Sequence, residues 1–244
     1  MNHCRQQLMK KLVYLFTITI VFLLFPVAAY PVENDLGLWT PVYIKLPVTD
    51  KVISQLEINP RIQENITHIN QLLVRPSIGY QLTKELSVWQ GYAWVTNYIP
   101  KFVNENRIWQ QLLYEKEFGR FILSSRSRLE ERFIENIHGV PVRFRNMFRV
   151  RYSLDKNKYW SFVVYDEPFI NIGKHFNGPQ SGIDQNRFFV GLNKKISNTV
   201  SIEGGYLMQY LNLHAPTPDR LNHNILINLY FNLPQLIQKS YIKH

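Results

Sequence analysis

From Val142 to Leu154, apolar and polar positions alternate along the chain. Val142, Phe144, Phe148, Val150, Tyr152 and Leu154 fall on one side, with Asn146 as its one polar member. Arg143, Arg145, Arg149 and Arg151 fall on the other, with Met147 and Ser153. Successive side chains of a strand point to opposite faces, so this period of two predicts a strand with one apolar and one cationic face. A helix would scatter the four arginines around its circumference. The alternation recurs elsewhere. Leu56, Ile58 and Ile62 oppose Glu57, Asn59 and Arg61, and Leu72, Val74, Ile78 and Tyr80 oppose Gln71, Arg75 and Ser77. Val200, Ile202, Tyr206, Met208 and Tyr210 oppose Ser201, Glu203 and Gln209. Near the end, Ile225, Ile227, Leu229 and Phe231 oppose Asn224, Asn228, Tyr230 and Asn232.

About eleven such segments start near Asp35, Val52, Ile69, Leu86, Arg107, Phe121, Val142, Tyr159, Gln185, Val200 and Leu221. Their spacing, roughly 20 residues, leaves room for the 9 to 11 residues of a membrane-crossing strand plus a turn. Short polar turns at Thr83–Glu85, Glu117–Gly119, Asp155–Lys158 and Ser197–Thr199 alternate with longer stretches at Asn97–Asn106, Asn136–Pro141, Gly173–Asp184 and Asn212–Arg220. Short turns on one rim and long loops on the other predict an all-β, antiparallel up-and-down transmembrane β-barrel. A soluble β-sandwich is the competing reading, since it also gives period two. Bulky aromatics on the apolar faces favour the barrel. So does the clustering of Trp89, Tyr92, Trp94, Tyr98, Trp160 and Phe162 toward strand ends, where an interfacial belt would sit. Even strand counts are usual in bacterial barrels, so eleven segments imply a missed strand, or a split of the Asp35–Lys45 segment or its exclusion from the wall. The expectation is about 12 strands, with 10 as the alternative.

Ahead of this region, Arg5, Lys10 and Lys11 precede the apolar run Leu12–Phe25 and then Pro26-Val27-Ala28-Ala29. That order predicts a cleaved export signal over residues 1–29, a barrel over 30–234 and a C-terminal tail over 235–244. The run is short for a spanning helix. Cys4, the single cysteine, lies inside the leader, which excludes a disulfide scaffold and a cysteine-based zinc site. A hydrophobic fraction of 45% excludes disorder, and a mean hydropathy of −0.20 excludes a helical membrane bundle. The chain carries 28 Lys+Arg against 18 Asp+Glu, and loss of the three leader bases takes the net charge from +10 to +7. The bases of the remaining chain are expected on strand faces that point into a barrel, so the charge does not indicate nucleic-acid binding.

Several motifs recur in a familiar order. They are Asp35-x-Gly37-x-Trp39, Arg75-Pro76-x-x-Gly79-Tyr80, Gly91-Tyr92 and Arg107-x-Trp109-Gln110-Gln111. Arg126-x-Arg128-x-Glu130-x-Arg132, Arg143-x-Arg145-x-x-x-Arg149 and Glu167-x-Phe169-x-Asn171 follow, then Asn186-Arg187, Gly205-Tyr206 and His223. In these the chain resembles the bacterial outer-membrane family catalogued as domain of unknown function 2490, over nearly all of the mature sequence. The resemblance implies an outer-membrane β-barrel. That family has no assigned activity, so no catalytic residue carries over.

The candidate site is the polar interior. If Arg132 faces Arg143 across a hairpin, Glu130 faces Arg145 and Arg126 faces Arg149, and Glu130 is locked among Arg128, Arg132 and Arg145. Arg151, Glu167, Arg187 and Glu203 extend the set of lumen-lining residues. The lattice either fills a narrow barrel with ion pairs or lines a water channel that attracts anions. About seven arginines to one glutamate in the hairpin leave its charge incompletely neutralised. Catalysis finds little support. His68, His138, His175, His214, His223 and His244 show no His-x-Ser pattern and no metal-ligand spacing, and Glu33-Asn34-Asp35 bears only a faint likeness to an acidic motif of a lipid A deacylase family. The sequence reading is therefore a non-enzymatic barrel in the outer membrane of a diderm bacterium, a narrow pore for small anionic solutes. A structural or adhesive barrel with partner-binding loops is the alternative, and a lipid-modifying enzyme the least favoured. No cofactor or metal is expected. Membrane lipid and the barrel-assembly machinery are the expected partners of a monomer.

Overall fold

The computed structural model describes residues 32–99, 101–173, 178–214 and 217–237, so the expected export signal lies outside the described residues, as do His175 and His244. Twelve strands follow in order: β1 (Val32–Trp39), β2 (Val42–Pro47), β3 (Val52–Gln63), β4 (His68–Gln81), β5 (Leu86–Asn97) and β6 (Val103–Phe118). The second half comprises β7 (Phe121–Ile134), β8 (Val142–Ser153), β9 (Trp160–Ile172), β10 (Gly182–Lys195), β11 (Val200–Leu211) and β12 (Asp219–Asn232). From β2 onward each strand pairs antiparallel with its successor. Among the described residues no helix is long and apolar enough to cross a membrane.

Closure depends on the first segment, Asp35–Lys45. Its two halves meet β3 in one continuous register: Leu38 and Trp39 of β1 oppose Ile62 and Arg61, and Val42 and Ile44 of β2 oppose Ile58 and Leu56. They are one stave, interrupted where Pro41 has no N–H to give the ladder. The Pro41 carbonyl still accepts from Leu229 N at 2.9 Å. On its other edge this stave lies beside β12, which runs parallel to β2 from Leu229↔Val42 to Asn232↔Lys45. The strand count is twelve, as expected, but the closed wall has eleven staves. An odd number makes the first and last run the same way, so the ends of the wall sit on opposite rims. Beyond β12, Leu233 N and Leu236 N donate to Lys45 O and Pro47 O, both at 2.8–2.9 Å, so the start of the expected tail continues along the seam.

Apolar side chains such as Ile78, Trp94, Phe148, Phe162 and Ile225 stand exposed on the outer surface, while most polar faces turn inward and are buried. Turns also carry local supports. The Asp35 carboxylate accepts from Glu64 N (3.1 Å) and Asn65 N (3.0 Å), holding the β3–β4 turn, whose residues 64–66 all have positive φ. At the opposite rim the Asp155 carboxylate accepts from Trp160 N (2.6 Å) and Tyr159 N (3.0 Å), which holds its pKa below the usual carboxylate value.

Aromatic residues pack inside as well as outside, at glycines. Gly79 pairs with Trp89, and a Cβ on Gly79 would lie 2.5 Å from the indole. Gly91 pairs with Trp109, and there a Cβ would lie 2.1 Å from the ring. Each glycine leaves a slot that the facing indole fills. Trp89 is thus buried in the lumen, contrary to its expected place in an outer aromatic belt, while Tyr92, Trp94, Tyr98, Trp160 and Phe162 are exposed.

Candidate functional site: an arginine lattice inside the barrel

Alternation on β7 turns Arg126, Arg128, Glu130 and Arg132 inward, and on β8 it does the same for Arg143, Arg145, Arg149 and Arg151. Their pairing differs by two residues from the expected one. Glu130 lies opposite Arg143 rather than Arg145, and Arg126 lies opposite Met147 rather than Arg149. A slip of two leaves every side chain on its own face, so alternation alone does not fix it. The loop fixes it instead: Arg132 N donates to Pro141 O at 2.8 Å, closing one more rung, with Asn136 and Gly139 at positive φ in the connection.

Glu130 is fully buried. Its carboxylate accepts from Arg143 Nη2 (2.7 Å) and Nε (3.1 Å) and from Arg145 Nη1 (3.2 Å), with Arg128 Nη1 at 3.8 Å. Arg132, expected beside it, turns instead to Glu105, at 2.6 and 3.2 Å. Glu105 also takes a two-pronged contact from Arg107, at 2.6 and 2.9 Å. Glu167 binds Arg145 through both oxygens at 2.8 Å and Arg126 at 2.7 Å. Glu203, fully buried as well, pairs with Arg149 and accepts from Asn228 Nδ2 at 3.1 Å. Asp184 reaches Arg143 at 2.9 Å because a bulge in β10 between Ile183 and Gln185 turns it inward. Arg151 stands apart, lining a cavity at the short-turn rim with Glu117 and Lys158.

The hairpin's excess of arginine is therefore met from other strands. It is not met fully. Away from Lys45 and Arg151 at the short-turn rim, the interior holds Arg61, Arg75, Arg107, Arg126, Arg128, Arg132, Arg143, Arg145, Arg149 and Arg187. Against these ten stand six carboxylates, those of Glu57, Glu105, Glu130, Glu167, Asp184 and Glu203, leaving a formal excess of four positive charges. Some of this excess rests on aromatic faces. Arg128 lies 3.9 Å from the Trp109 ring centroid and Arg145 4.2 Å from that of Phe169. Arg61 and Arg187 approach one ring together, Trp39, at 3.8 and 5.0 Å.

Among the described residues, two neighbouring cavities lie in the lumen beside this arginine lattice. One, of about 210 Å³, is lined by Tyr43, Glu57, Asn59, Arg75, Tyr165 and Asn228 among others. The second, of about 340 Å³, lies toward the other rim among Gln63, Gln71, Asn97, Arg107, Arg132 and Gln209. Trp39, Arg61 and Arg187 line both, so these three side chains form the waist between the chambers. Of the residues singled out from the sequence, Arg128, Glu130, Arg143, Arg145, Glu167, Arg187 and Glu203 are buried, and Arg126, Arg132, Arg149 and Arg151 are half-buried. Arg61, Arg75, Arg107, Glu57, Glu105 and Asp184 were not among them. The first five lie on alternating polar faces, with Glu-x-Arg at 105 and 107 as a usable signal. Asp184 depends on a bulge and gives none. The described histidines lie apart from the lattice: His68 and His138 are exposed, and His223 sits on the outer wall, bonded to the Tyr206 hydroxyl at 2.6 Å. Among the described residues no three His, Cys, Asp or Glu are grouped to hold a metal ion.

A family model described as a protein of unknown function, DUF2490, matches residues 36–222. An uncharacterized protein of Methylorubrum extorquens is 31% identical over 209 residues, covering 83% of this chain and 90% of the relative. No solved structure matches.

Proposed function

The chain belongs to the DUF2490 family, and for this member we propose an outer-membrane barrel that draws small anions into a narrow lumen constricted at Trp39. The observation that carries the reading is the four-charge excess of arginine around two chambers. A cationic wall in a low-dielectric surround concentrates anions and excludes cations. The outer surface supports the membrane setting, since a band of exposed Ile, Leu, Phe, Trp and Tyr side chains suits lipid and would be costly to leave in water. Export of the chain rests on the leader pattern of residues 1–29.

The test is the reversal potential of the refolded mature chain in planar bilayers under a potassium chloride gradient. Anion-selective steps of low conductance are expected. Cation selectivity would end this reading. A complete lack of steps would favour a second one, a structural barrel, which the full burial of Glu130 and Glu203 among their ion-pair partners supports.

A further inference from the structure

The waist combines unused donors with unused acceptors. Among the described residues, neither Arg61 nor Arg187 has a carboxylate oxygen within 4 Å, whereas every other buried lumenal arginine except these two does. Arg61 donates only to Gln71 Oε1 (2.6 Å), and Arg187 only to Gln185 Oε1 (3.4 Å). The Nε of each arginine and the Trp39 Nε1 are buried donors with no acceptor. On the smaller chamber's wall the shortage is reversed. Asn59 Nδ2 donates to Glu57 (3.2 Å) and Asn228 Nδ2 to Glu203 (3.1 Å), and a carboxylate accepts only from the amide nitrogen. Both amides are therefore fixed in orientation, and both leave a buried Oδ1 without a donor.

We propose that this waist and the smaller chamber bind a small carboxylate bearing hydroxyl groups, of the sugar-acid class. Its carboxylate would take the guanidinium and indole N–H groups, which match a planar anion in geometry and charge. Its hydroxyls would donate to Asn59 and Asn228. A halide could use the first set only, and a neutral sugar the second set at most. An ammonium group beside the acid would meet the arginine excess, so a simple amino acid fits less well. This inference rests on reading the lumen as anion-attracting, and it adds which anion is retained and where.

The full mature chain folded in detergent serves for the test, with D-glucuronate as the probe at constant ionic strength. Binding to the folded state alone raises the unfolding midpoint in a saturable way, read by the heat-modifiable gel shift. Glucuronate should raise it, while glucose and chloride at equal concentration should not. The Arg187→Gln variant should weaken the apparent affinity at least tenfold. Trp39→Phe keeps an aromatic face for the two arginines while removing the N–H, so it guards against a variant that fails to fold, and it should weaken binding several-fold relative to its own unliganded midpoint, which the smaller ring lowers. Equal effects of chloride and glucuronate, or glucuronate stabilisation that survives both substitutions, would overturn the proposal. If glucuronate fails while the bilayer current remains anion-selective, the site is wrong and the pore reading stands. Saturable glucuronate binding without anion selectivity would leave the site standing and remove the pore.

Discussion

Glu130 contacts three guanidinium groups with no solvent exposure, and its loss would strand Arg143 and Arg145 on that side. Breaking a buried ion pair by removing one partner costs roughly 3–5 kcal/mol, because the remaining charge keeps its desolvation penalty. Glu130→Gln should lower stability by about that amount in urea titration of the folded barrel. By contrast the Arg220–Glu33 pair, at 3.4 Å with both side chains largely exposed, is screened by water. Glu33→Gln should change stability by less than about 1 kcal/mol. Equal losses from the two would mean that the interior is as wet as the surface. Glycines give a third residue-scale prediction. A Cβ at Gly91 would press into Trp109, the ring on which Arg128 rests, so Gly91→Val should destabilise by about 1–3 kcal/mol through overpacking. Restoration by the compensating Trp109→Leu, measured in a double-mutant cycle, would confirm that the slot is shared.

At the scale of elements, the strands and their faces were legible because a wall between an apolar outside and a polar inside imposes period two on every stave. Registers were less so. The expected β7–β8 pairing missed by two residues, since that slip preserves faces and only the closing turn decides it. Trp89 differs in parity from Tyr92 and Trp94 on the same strand, so alternation itself turns it inward, and the facing Gly79 makes the room for its ring; grouping the three by aromatic type alone hides this. The split of Asp35–Lys45 was a foreseen option. The eleven alternating segments match the eleven staves of the wall, and it is the usual even count of bacterial barrels that led away from an odd wall closed by a parallel seam. The seam is directly testable. Ile44 and Phe231 are cross-seam partners, and the mature chain has no cysteine of its own under the expected cleavage. Cysteines placed at 44 and 231 should form a disulfide under mild oxidation, whereas cysteines at 38 and 231 should not. Cross-linking of the second pair in preference to the first would contradict the parallel closure.

For the whole molecule, the arginines assembled by the fold come from strands far apart in sequence, such as Arg61 on β3 and Arg187 on β10. The sequence showed a cationic face strand by strand, but not that Glu105, Glu167 and Glu203 would neutralise most of it and leave Arg61 and Arg187 at the waist. What distinguishes this barrel from a simple solid one is that the unneutralised charge sits where Trp39 separates two chambers. The most direct measurement compares single-channel conductance and reversal potential of the wild type with Trp39→Ala in the same bilayer and the same chloride gradient. A constricted anion path predicts a severalfold larger conductance for the variant with anion preference retained. Unchanged conductance, or a variant that opens without preferring anions, would contradict it.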